Sequence, residues 1–150
     1  MSQRERYTDD EWRTLQLVPL VAYFAVGHAD GSVSPAEAAE YRRKLAQISG
    51  LTAPGTELAR EVFESLVVDE DEVQQRYDAA RRSEVRTEVL LRDASVLLDR
   101  AEPGQATAFR HVVRVLCQSV AEASPIVGEK VTAQEHAAID LVVAQLASRR

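Results

Sequence analysis

The chain has a single cysteine, Cys117, and no asparagine. One cysteine excludes an intramolecular disulfide and any zinc site built on several thiolates, and it fits a reducing cytoplasm. Positive charge is short as well: 18 Lys and Arg face 24 Asp and Glu, a formal net charge of -6. With no cationic surplus to neutralise phosphates, nucleic acid is not an expected partner. Long apolar runs are missing. The longest, Leu15 to Gly27, is interrupted by Gln16 and contains Pro19; it is shorter than the roughly 20 residues that cross a bilayer. Met1 to Glu11 is polar and mixed in charge, so no secretory leader is expected. Sequence motifs for nucleophilic, phosphate-binding and zinc-hydrolase chemistry are absent, and Gly27 to Gly31 is too short for a dinucleotide fingerprint. No acid, base and nucleophile can be assembled, so the chain is not expected to be an enzyme.

What is present is helical periodicity in a 150-residue chain that is 45% apolar and 28% charged, enough for one domain with its own core. Thr8 followed by Glu11 is a capping box. Trp12, Leu15, Val18, Ala22 and Ala25 then step along one face of a helix ending near Gly27, with Pro19 expected to kink it. Ser34, Pro35 and Glu37 supply an N-cap, a first-turn proline and a second box, and Tyr41, Leu45 and Ile48 continue the stripe to Gly50, read as a left-handed C-cap. Leu58, Val62 and Leu66 mark a third helix. The acidic run Asp69 to Glu72 opens a fourth, with Val73, Tyr77 and Ala80 inward. Arg81 to Arg86 either interrupts that helix or lies on its wet face. Leu90, Ala94, Leu97 and Ala101 resume the pattern, and Pro103-Gly104 breaks it. Phe109 to Ala123 and the box Thr132–Glu135, with Ile139, Val142, Val143 and Leu146, complete an all-α chain with no period-two strand. Residues 1–7 are expected as a disordered tail and 8–148 as one helical domain.

The two ends resemble each other. Aligning Val33 with Val131 pairs Ser34 with Thr132, Glu37 with Glu135 and Tyr41 with Ile139, and upstream it pairs Val18 with Leu116 and Ala22 with Val120. This predicts a helical bundle of two pseudo-twofold-related helix–loop–helix units around central apolar helices.

The segment Ala29-Asp30-Gly31-Ser32-Val33-Ser34-Pro35-Ala36-Glu37, directly after an apolar helix, resembles the A-D-G-x-[VI]-[ST]-x-x-E signature of TerB-like tellurite-resistance proteins. The resemblance extends over most of the chain, with a degraded second copy near Glu135. It implies a cytoplasmic, bacterial, all-helical protein linked to tellurite, other chemical stress or phage defence, working beside protein partners near the membrane. It also implies divalent-metal ligands at Asp30, Glu37 and Glu135. Where the first copy has Asp30 and Gly31, the second has Gly128 and Glu129, so Glu129 offers its carboxylate one position along.

Read as an EF-hand, Asp30, Gly31 and Glu37 fall on loop positions 5, 6 and 12, but positions 1 and 3 are Val26 and His28. An ordinary calcium loop is thereby excluded. A simpler role is available for the same residues: Asp30 and Gly31 make a turn, and Ser34 and Glu37 cap the next helix. His28 is the histidine placed to assist a cation, whereas His111 and His136 fall on polar positions. Three functions therefore stand before the structure: a non-catalytic partner-binding module, then a divalent-ion sensor or buffer using Asp30, Glu37, Glu129 and Glu135, and last, the least expected, an enzyme.

Overall fold

The computed structural model describes residues 2–29, 33–123 and 131–149. Among them are seven α-helices and no strand: α1 (Asp9–Gly27), α2 (Pro35–Ser49), α3 (Glu57–Val68), α4 (Glu70–Arg82), α5 (Thr87–Leu98), α6 (Pro103–Glu122) and α7 (Ala133–Leu146). The protein is an all-α helical bundle. No helix of the described residues is long and apolar enough to cross a membrane.

Local chemistry starts three of these helices in the same way. Thr8, Ser34 and Thr132 each accept the backbone N–H of the residue three positions on, while Glu11, Glu37 and Glu135 each accept the amide of the cap. Two orphan donors of the first turn are satisfied in each case. The elements then bury their apolar stripes. α1 is covered by α3, α4, α5, α6 and α7, and α6 packs on α1, α2, α3 and α7. Leu15, Val18, Val21, Ala22 and Val26 of α1 and Phe109, Val113, Leu116, Cys117 and Val120 of α6 are all buried. Phe63 of α3 meets Phe109 edge to face at 6.3 Å, the arrangement that ring quadrupoles favour.

Several expectations are corrected. Residues 3–7 are not a loose tail: Gln3–Arg6 forms a 3-10 turn whose Gln3 and Arg4 amides donate to the Glu61 carboxylate. Tyr7 is buried behind it and donates its hydroxyl proton to Leu97 O at 3.1 Å. A buried aromatic ring and a carboxylate that collects amide donors hold this segment down. Gly50 closes α2 at φ -98°, outside the left-handed region; among the described residues the left-handed ones are Gly55 and Glu84. Arg81 to Arg86 does interrupt the helical run, and Glu84 is the residue that turns the chain between α4 and α5. Pro103 is the first residue of α6. Val143 and Ala80 lie off the buried stripes of α7 and α4, and Val143 is exposed.

Candidate functional site

The signature joins the end of α1 to the start of α2, and α7 opens on a capping box of the same kind. α1 stops at Gly27, where a Cβ would lie 2.7 Å from Val33 Cγ2. His28 caps the helix, is exposed, and stacks its ring on Phe24 at 5.4 Å. Ser34 Oγ accepts from the Glu37 amide at 3.1 Å and Glu37 Oε1 accepts from the Ser34 amide at 2.9 Å. Thr132 and Glu135 repeat this at 3.1 and 3.0 Å. Both carboxylates are buried, Glu135 completely. Burial raises the Tyr23 phenol above its ordinary range, and the negative charge of Glu37 adds to the rise. Each glutamate therefore spends one oxygen on the amide that its box requires. Asp30 and Glu129 lie outside the described residues. Among the described residues no three His, Cys, Asp or Glu side chains gather as a metal-ligand group, so Glu37, Glu135 and His28 do not by themselves form a cation site. His111 and His136 are exposed.

A larger feature lies elsewhere. The N-terminal turn, α1, α3 and α4 line an open, largely polar cleft of about 600 Å³. Its lining is mostly charged and polar, and part of it is a hydrogen-bonded network. Gln16, 2% exposed, donates from Nε2 to Ser65 Oγ at 3.1 Å and to Asp69 Oδ2 at 3.2 Å. Gln16 Oε1 accepts from Arg76 Nη2 at 2.9 Å. The Trp12 indole N–H donates to Ser65 Oγ at 3.2 Å. Arg76 Nε and Nη1 are buried without a hydrogen-bond partner, and Glu72 Oε1 sits 3.9 Å from Nη2. A guanidinium with two unspent donors is uncommon enough to need a reason.

At the rim of this cleft the chain turns from α3 into α4. Val67 and Val68 are 45% and 79% exposed there, and Glu70, Asp71 and Glu72 follow on the surface. None of these cleft residues belongs to the signature. One signal for them was in the sequence: Gln16 is the sole polar residue between Leu15 and Gly27. Its partners Ser65, Asp69 and Arg76 come from other helices and carry no motif.

Cys117 is fully buried, and burial pushes its thiol up to about 12, so it is not a nucleophile in the folded protein. No family model, curated protein or solved structure matches the chain.

Proposed function

We propose that this protein is a non-catalytic, TerB-like module of a bacterial stress or defence response that works in the cytoplasm by binding other proteins. The resemblance of residues 29–37 to the TerB-like signature supports the family side of this reading. The observation that carries the binding side is the α3–α4 corner, where Val67 and Val68 are exposed side by side next to Glu70, Asp71 and Glu72. Single exposed valines are ordinary. Two consecutive ones that border an acidic run, Val68 also lining the cleft, form a surface with both an apolar anchor and a charge preference. The matching partner segment carries an apolar side chain flanked by Lys or Arg, and the acidic run sets its approach.

The test is affinity purification from the native host with the wild-type chain, Val68→Asp and Asp71→Lys in parallel. Both substitutions are at exposed positions, where stability changes stay within about 0.5 kcal/mol. The reading expects a protein that is recovered with the wild type, released by raised salt, and lost with both variants. Recovery that is the same for all three, or no recovered protein, overturns it.

A further inference from the structure

We infer that the apolar groove between α6 and α7 receives the α3–α4 corner of a second copy of this chain. The inference rests on the corner chemistry of the partner-binding reading and adds a surface, the groove, that the reading does not use.

The groove comes from the packing of α7 on α6. Val113 of α6 and Val142, Val143 and Leu146 of α7 line it, and Val143 is 39% exposed. Its volume is about 220 Å³, a seat for one or two side chains of a partner rather than for a whole cofactor. Among the described residues no Asp or Glu lines it, although the chain as a whole carries a net charge of -6. Its charged and polar members are Arg110, His111 and Arg114. Arg110 is already tied to Asp99 and to Leu146 O. Arg114 is exposed and forms no ion pair among the described residues, so its charge is left for an incoming group. What fits is an aliphatic side chain accompanied by a carboxylate.

The α3–α4 corner has that chemistry. Val67 and Val68 are exposed in sequence, and Glu70 and Asp71 follow on the surface. Neither of these carboxylates forms an ion pair among the described residues. An apolar pair beside two unspent carboxylates is the counterpart of an apolar groove beside an unspent guanidinium. Both surfaces are open in the single chain, so they do not meet within one copy. A corner reaches a groove only on another molecule. The valines supply the apolar part of the contact, and Arg114 against Glu70 and Asp71 sets its orientation.

The experiment is sedimentation velocity of the full chain over a concentration series, in low and in raised salt. The expected result is an average mass that climbs above that of one chain at about 0.1–1 mM, as a small transient contact gives. Raised salt should lower it again. Arg114→Glu alters the groove and Asp71→Lys alters the corner, both at exposed positions where stability changes stay small. Each should weaken the association by about tenfold or more. Mixed in equal amounts, the two variants should associate again, because the intact corner of one meets the intact groove of the other. A corner-on-corner or groove-on-groove contact would not recover in this way. The mass of a single chain at every concentration overturns the proposal. So does association that either substitution leaves unchanged, or a mixture as weak as each variant alone. Arg114→Glu removes self-association and leaves the corner free for a foreign protein in the affinity purification, so either reading can fail alone.

Discussion

Gly27 ends α1 where Val33 closes over it, and its hydrogen occupies space in which a methyl group would stand 2.7 Å from Val33 Cγ2. Valine is β-branched and short, so it cannot swing aside as a long side chain would. Gly27→Ala is therefore expected to destabilise the protein by about 1–2 kcal/mol, despite the better helix propensity of alanine. Adding Val33→Ala removes the opposing methyl and should recover part of that loss; chemical denaturation of the two single variants and the double measures the coupling. Equal or raised stability in Gly27→Ala would show that the contact yields freely. The contrast between Gly27 and Gln16 explains what was legible at this scale. The caps at Thr8, Ser34 and Thr132 were readable because each is complete within four consecutive residues. Gln16 announced itself only as a polar residue in an apolar run, since what satisfies it, Ser65, Asp69 and Arg76, lies on α3 and α4 and at the junction between them. Nothing local encodes those meetings.

Helix ends show the same division one level up. α4 closes with the Glu84 amide donating to Arg81 O at 3.0 Å and the Val85 amide donating to Ala80 O at 2.9 Å, the paired bonds of a Schellman close. Its geometry places Glu84 at φ +58°, a conformation that costs an L-residue roughly 1 kcal/mol and glycine nothing. Glu84→Gly should accordingly raise stability by about 0.5 kcal/mol, the relief exceeding the added freedom of the unfolded chain. A thermal melt that shows a lower midpoint would mean that the Glu84 side chain holds more than it strains. The stop between α4 and α5 was hard to see in the sequence because Arg81 to Arg86 contains neither glycine nor proline. Gly50, by contrast, looked like a left-handed stop and closes α2 with right-handed geometry. The N-terminal turn was missed for a third reason. Gln3–Arg6 has no apolar stripe, and it is held by Glu61 and by the burial of Tyr7, which are tertiary facts.

Across the whole molecule, Glu11, Glu57 and Asp99 tie distant parts of the chain together, are lowered below their ordinary range and make its stability depend on pH, Glu57 through the Gln105 amide of α6. Arg100 hydrogen-bonds Glu11, joining the start of α1 to the end of α5, and it holds the Glu11 carboxyl below its ordinary range, helped by the Thr8 amide. Desolvation raises Asp99, but the Arg149 amide, the Ser148 side chain and the Arg110 guanidinium together outweigh it and leave the group lowered. A carboxyl lowered in the folded state adds stability that is present above its unfolded pKa and lost as pH falls through the folded one. The melting temperature should then fall as pH drops below the ordinary carboxylate range, and Glu11→Gln with Asp99→Asn should remove part of that fall. A slope unchanged in the double variant would place the acid sensitivity elsewhere.

Cys117 reports on the same cooperative unit from its centre. α6 is held on α1, α2, α3 and α7 at once, so exposing this side chain requires separating one helix from four. Burial removes both conditions that a thiol reagent needs, access and thiolate: the side chain has 0% exposure, and its pKa is pushed up to about 12. Labelling of the folded protein at neutral pH should be slow and should accelerate with denaturant in step with global unfolding, because the reactive species is the opened chain. The measurement is the reaction rate with a chromogenic disulfide across a denaturant series, set beside unfolding followed by helical circular dichroism. Agreement of the two opening free energies means that α6 leaves only when the bundle does. Labelling that is fast in native buffer and insensitive to denaturant would instead show that α6 detaches alone, and the two-helix centre on which the bundle rests would have to be redrawn.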